Sequence, residues 1–176
     1  MPINISPEFY DISPSLDITN TSYTYGEVFA DNIIDTIRNL YEEDISFEEY
    51  YFIDIGCGCG RLLMEIEEKL KMNCCGVEIE PVRYNECVKQ IGTNNKIEVF
   101  HNEFKNIYFG NYDVIYCCNF VFSKEDNDLL YLKIMKECNG YVFLFDYNHI
   151  LKPFYKCEFN VKTSWSKSVK IFVFKL

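Results

Sequence analysis

Residues 54–60, with the sequence DIGCGCG, constrain this chain more than any other segment, because three glycines alternate directly after an apolar run. The run 50–53 predicts a buried strand, and the glycines predict a sharp turn from that strand into a helix. A glycine also lets a ligand lie against the backbone, and ligands of open α/β sheets bind at the carboxyl ends of strands. The nicotinamide fingerprint requires a glycine at position 61, where the chain has Arg61.

A second signal follows at Glu78, which ends the next apolar run and lies twenty residues beyond Gly58. A carboxylate at the tip of the second strand can accept hydrogen bonds from both hydroxyls of a ribose. Alternatively, the glycines only make a tight turn and Glu78 is a surface charge. The presence of both signals in one strand–helix–strand unit favours a site for an adenosyl ligand.

The remaining pattern predicts alternating strands and helices followed by a terminal hairpin. The predicted helices are 27–40, one opened by the glycine turn, one starting at Pro81, and one over 129–135. The predicted later strands are 97–101, 112–118, 141–145, 154–161 and 169–174. Residues 1–22 are predicted to form an irregular arm, and residues 23–176 a single α/β domain.

The glycine turn is similar to motif I of class I S-adenosylmethionine-dependent methyltransferases. This similarity implies their Rossmann-like three-layer sandwich, a mostly parallel sheet with an antiparallel hairpin at its end. Four further motifs extend the likeness: Tyr25-Gly26-Glu27, Asn102-Glu103-Phe104, Cys118-Asn119-Phe120-Val121-Phe122 and Ser164-Trp165-Ser166. In this order they resemble the disruptor-of-telomeric-silencing (Dot) family of non-SET histone lysine methyltransferases.

The resemblance implies S-adenosyl-L-methionine as the cofactor and assigns a role to each matching residue. Tyr25 and Glu27 belong to a loop over the cofactor, with Glu27 on the methionine amino group. The other implied cofactor-binding residues are Asp54, Gly56, Gly58, Glu78 for the ribose, Glu103 for the adenine amine, Phe104 for the adenine ring, and Asn119.

The same resemblance implies the catalytic side: Asn119 near the transferred methyl, and Phe120, Phe122 and Trp165 around a channel for lysine. Two departures accompany it. Cys118 replaces one of two family asparagines, and a channel tyrosine is replaced by Ile171 or Phe172. We expect the aromatic rings, Phe172 included, to favour the neutral amine of the substrate lysine.

Charge and cysteine usage limit the partners. The net charge is −10, yet residues 152–176 hold six lysines and one acid. An acidic body favours a basic partner such as a histone or nucleosome. The lysine-rich end either makes weak contacts with nucleic acid or is simply the exposed face of the last strands, and we favour the second interpretation. The nine cysteines include no Cys-x-x-Cys pair, so we expect reduced thiols and no metal site.

No apolar stretch approaches the length of a membrane span, and the first residues lack a secretory pattern. We therefore expect an intracellular protein, with the nucleus or a viral replication compartment as candidate locations. Methylation of a non-histone protein or a small molecule stays open as an alternative. A catalytically weak scaffold that binds the cofactor stays open as well.

Overall fold

The computed structural model describes residues 26–41 and 45–176. Tyr25 and the predicted arm, 1–22, lie outside the described residues. Within the described part the chain forms four α-helices and seven strands in the following order: α1 Asp31–Leu40, β1 Tyr51–Ile55, α2 Arg61–Leu70, β2 Asn73–Glu78, α3 Pro81–Ile91, β3 Ile97–His101, β4 Val114–Cys117, α4 Lys124–Glu137, β5 Tyr141–Leu144, β6 Tyr155–Val161 and β7 Val169–Lys175.

The seven strands form one sheet in the order β3-β2-β1-β4-β5-β7-β6. The first five are parallel, and β7 is antiparallel to both β5 and β6. The central strands β1 and β4 are apolar along almost their whole length because both faces of the sheet are covered. Two apolar clusters result, one on each face. The predicted fold class is confirmed.

Local sequence explains where the helices begin. The side chain of Glu80 accepts hydrogen bonds from the backbone N–H groups of Val82 and Arg83, and Pro81 occupies the first turn of α3. Ser123 caps α4 by accepting from the N–H of Asp126. The glycine turn opens α2, whose buried face consists of Leu62, Leu63, Ile66 and Leu70.

Helix α1 starts four residues later than the sequence predicts. Residues 27–29 are not helical, because their backbone groups pair with the segment between β6 and β7. Val28 forms an isolated antiparallel bridge with Thr163, and Phe29 N–H donates to Lys162 O at 3.0 Å. This pairing brings the Gly26-Glu27 loop next to the hairpin tip.

All nine cysteines are free thiols, six of them buried. Within residues 26–41 and 45–176, no group of three or more histidine, cysteine or acidic side chains is arranged to hold a metal ion. The helices of the same residues are too short or too polar to cross a membrane.

Candidate cofactor and substrate site

The turn between β1 and α2 has the backbone that its glycines predict. Gly56, Gly58 and Gly60 have positive φ angles of 82°, 56° and 84°, which side chains with a Cβ rarely adopt. The N–H of Gly56 donates to Val77 O at 2.8 Å, which ties the turn to β2. A Cβ on Gly60 would clash with Cys87 Sγ on α3, so the third glycine serves helix packing.

Glu78 ends β2 beside this turn and holds it in place. One carboxylate oxygen accepts from Gly58 N–H at 2.9 Å. The other accepts from Glu80 N–H at 2.8 Å and from the guanidinium of Arg83 at 3.2 Å. Because a carboxylate offers about four acceptor positions, Glu78 can still accept from a ligand hydroxyl.

Arg83 and Glu78 form a buried ion pair, with both side chains almost inaccessible to solvent. Sequence inspection missed Arg83. Its position five residues after Glu78, in the first turn of α3, is the signal that could have found it. The pair fixes the orientation of the carboxylate before any ligand arrives.

A cavity of about 420 Å³ opens at the carboxyl ends of β1, β2 and β4, a volume typical of small-molecule sites. Its walls come from the segments that follow these strands, from the segment after β3, and from the two loops at Gly26 and Trp165. Predicted site residues make up much of its lining: Gly56, Glu78, Glu103, Phe104, Phe120, Phe122 and Trp165.

A smaller cavity of about 40 Å³ adjoins the first and is lined by three further predicted cofactor residues. Glu27, Asp54 and Gly58 line it, together with Arg61 from the start of α2. The guanidinium of Arg61 donates to Glu27 Oε2 at 3.1 Å and to Glu65 Oε1 at 2.8 Å. A carboxylate and a guanidinium side by side complement the ammonium and carboxylate of an amino acid.

Asp54 is buried at the end of β1, and this burial raises the pKa of its carboxyl to about 8, with the negative charge of Glu78 adding to the effect. Near neutral pH the protonated form of the group therefore predominates. A cation placed in the small cavity favours ionised Asp54.

Aromatic side chains form part of the wall of the large cavity. Phe104 and Phe122 stack with ring centroids 5.6 Å apart and an interplanar angle of 23°. Phe120 and Trp165 are 52% and 48% exposed, unusual for large apolar side chains, and both border the large cavity. Trp165 packs so closely on Gly26 that a Cβ there would clash with its ring.

The structure places Asn119, a predicted site residue, outside the linings of both cavities. Its side chain is completely buried, and its amide nitrogen donates to Asn127 Oδ1, Tyr131 Oη and Asp146 O. Its amide oxygen accepts from the N–H groups of Phe145 and Asp146. These bonds join the ends of β4 and β5 to α4, so the side chain of Asn119 stabilises this junction.

The residues considered as replacements for the family's channel tyrosine also lie away from the cavities. Ile171 is buried in the core, and the ring of Phe172 packs edge-on against Tyr147 with centroids 4.8 Å apart. Neither borders the large or the small cavity. The expected contribution of Phe172 to a lysine channel is therefore not seen in the structure.

A sequence model described as a methyltransferase domain matches residues 52–139, which is half of the chain and includes the glycine turn, Glu78 and the end of β4. The chain belongs to this family. Methyltransferase-domain membership supports S-adenosylmethionine as the cofactor, in agreement with the sequence prediction. No significant match was found among curated proteins.

Solved structures with the same fold include several methyltransferases. An RNA methyltransferase from Salinibacter ruber, in complex with S-adenosyl-L-homocysteine, superposes with a TM-score of 0.62 at 13% identity, over 82% of this chain and 90% of that one. Magnesium protoporphyrin IX methyltransferase from Synechocystis PCC 6803, with bound SAM, gives a TM-score of 0.63 at 14% identity, over 82% and 79%. At such low identity the likeness establishes the fold alone.

Proposed function

We propose that this protein transfers a methyl group from S-adenosylmethionine to a lysine side chain of a basic protein, and that a histone in a nucleosome is the substrate. The observation that carries the proposal is the junction of two cavities at the glycine turn. The small cavity is lined by charged groups of both signs, Glu27 and Arg61. The large cavity is lined by Glu78, the proposed acceptor for the ribose, and by aromatic rings.

The residues present fit the cofactor part by part. Glu27 and Arg61 complement the methionine ammonium and carboxylate, Glu78 a ribose hydroxyl, and Glu103 the exocyclic amine of adenine. The Glu103 side chain is about half exposed at the cavity rim, next to Lys105. The cofactor supplies a methyl group on a sulfonium, which is open to in-line attack by a nucleophile.

The chain's own residues then have two tasks: they orient the acceptor and exclude water. A free lysine has a pKa near ~10.4 and arrives mostly protonated. The rings of Phe120, Phe122 and Trp165 offer an apolar wall that lowers the pKa of a lysine amine and so favours its nucleophilic form. Phe120 and Trp165 are exposed enough to meet an incoming side chain.

Charge supports a nucleosomal substrate. The body of the protein is acidic, which suits a histone tail, whereas six lysines lie in residues 152–176. Lys162 and Lys167 flank Trp165 at the hairpin tip, near the cavity. We propose that these lysines make weak, salt-sensitive contacts with DNA phosphates beside the histone.

A methyl-transfer assay tests the proposal directly. Nucleosomes, histone octamers, free histones and a cell lysate are incubated with the protein and labelled S-adenosylmethionine, and labelled residues are mapped by mass spectrometry. The proposal predicts methylated lysine in a histone, and loss of the label with the Glu78→Gln variant. Label confined to other proteins or to small molecules contradicts the histone substrate.

A second candidate is a cofactor-binding scaffold with little transferase activity. Cys118 favours it, because a thiol stands where the resembling family has an amide side chain. In that case the assay gives cofactor binding without transfer to any substrate.

A further inference from the structure

Cys118, the residue directly after β4, borders both cavities. Gly26 and Gly56 border both as well, but they have no side chain to offer. Cys118 is partly exposed, whereas its neighbour Asn119 is fully buried. Of the two, only Cys118 belongs to the cavity walls.

If the proposed function holds, the junction of the two cavities corresponds to one part of the cofactor. The small cavity suits the amino-acid end of the cofactor, and the large cavity suits adenosine. In S-adenosylmethionine the sulfur connects these two parts and carries the methyl group. The sulfur and its methyl therefore lie where the two cavities meet.

We propose that Cys118, not Asn119, is the side chain at the point of methyl transfer, and that it positions the acceptor by packing rather than by a strong hydrogen bond. This inference rests on the proposed function. A thiol is a weak donor and a weak acceptor, so Cys118 limits the space open to the acceptor amine, together with the rings of Phe120 and Trp165.

The protonation state of the thiol agrees with this role. Burial raises the pKa of Cys118 to about 12, with the charge of Asp54 adding to the rise and a hydrogen bond at the Phe120 backbone opposing it. A thiolate here would compete with the substrate. Its sulfur would bond to the methyl carbon while the bond from that carbon to the cofactor sulfur breaks, giving S-methylcysteine and S-adenosylhomocysteine. The neutral thiol is a poor nucleophile for this side reaction.

Protection against alkylation tests the inference. The protein is treated with N-ethylmaleimide at alkaline pH, with and without S-adenosylhomocysteine, and each cysteine is quantified by peptide mass spectrometry. In the labelling step sulfur bonds to one alkene carbon of the maleimide, and a proton adds to the other. Cys138 is the matched control, because it is also partly exposed and its pKa is raised to about 12, mainly by burial.

With S-adenosylhomocysteine at a hundred times its dissociation constant, about 1% of the protein lacks ligand, so labelling of Cys118 should slow by about 100-fold. Labelling of Cys138 should stay unchanged. Equal labelling of Cys118 with and without bound ligand overturns the inference, and so does a Cys118 that never reacts while Cys138 does.

Calorimetry on the same samples separates the two levels of the argument. If S-adenosylhomocysteine binds but leaves Cys118 unprotected, the position of the thiol is wrong and the cofactor proposal stands. If the ligand does not bind at all, both are wrong. As a second variant, Cys118→Phe should fill the junction and abolish S-adenosylhomocysteine binding, whereas Cys118→Ser should retain it. Undiminished binding by Cys118→Phe also contradicts the inference.

Discussion

Replacing Arg61 by glutamine should weaken the binding of the amino-acid end of the cofactor and leave the binding of its adenosine part unchanged. Arg61 lines the small cavity, is only 16% exposed and donates to Glu27 at 3.1 Å. A hydrogen bond between charged groups in such a place is worth about 1.5–3 kcal/mol. Losing the one to the ligand carboxylate should therefore lower affinity for S-adenosylhomocysteine by about 10- to 150-fold.

The assay compares two ligands by isothermal titration calorimetry. S-adenosylhomocysteine has the amino-acid part, whereas 5′-methylthioadenosine keeps the adenosine and lacks the amino-acid part. Arg61→Gln should lower the affinity for S-adenosylhomocysteine and leave the affinity for 5′-methylthioadenosine unchanged. Arg38→Gln is the matched control, because Arg38 forms an exposed ion pair with Asp35 on α1, away from both cavities.

Equal weakening of both ligands would mean that Arg61 acts only by holding the fold, because adenosine has no group for a guanidinium in the small cavity. Unchanged affinity for both would place the amino-acid end of the ligand elsewhere. Either result refutes the assignment of Arg61 to the methionine carboxylate.

Three further predictions follow from the buried polar groups. Because the pKa of Asp54 is about 8, the affinity for the cationic S-adenosylmethionine should rise by up to about tenfold per pH unit and level off above pH 8. In calorimetric titrations the Asp54→Asn variant should show a flatter dependence of affinity on pH. An unchanged slope in the variant contradicts this prediction. Glu78→Ala removes the carboxylate from the buried ion pair with Arg83 and should cost about 3–5 kcal/mol in urea unfolding. A loss below about 1 kcal/mol would show that the pair is not desolvated. Asn119→Ala removes buried hydrogen bonds and should lower the free energy of unfolding by about 3 kcal/mol, while the folded protein still binds S-adenosylhomocysteine. Normal stability with lost binding would instead support the predicted role of Asn119 at the site.

The parts of the site that can be predicted from the sequence are those that the local sequence pattern determines. The glycine turn and Glu78 belong to one strand–helix–strand unit, where spacing along the chain determines position in space. Their predicted arrangement agrees with the structure, in which Glu78 accepts from Gly58 N–H. The cavity also gathers Glu103, Phe104, Phe120, Phe122 and Trp165, because all follow or flank strands at one edge of the sheet.

The features that the sequence did not predict depend on contacts between residues far apart in the chain, or on which of two adjacent residues faces the cavity. Residues 27–29 carry apolar spacing typical of a helix but pair instead with the hairpin tip; Glu27 N–H donates to Ser164 Oγ, 137 residues away. After β4 the chain enters a short 3₁₀ turn at Asn119, so neighbouring residues point in different directions. The motif alone does not indicate whether Cys118 or Asn119 faces the cavity.

A crystal structure of the complex with S-adenosylhomocysteine tests the central claim most directly. The account predicts a single ligand at the glycine turn, with a ribose hydroxyl hydrogen-bonded to Glu78, its amino-acid end beside Glu27 and Arg61, and its sulfur next to Cys118. A ligand bound elsewhere, or a crevice at the turn that stays closed to it at saturating concentration, would contradict the account.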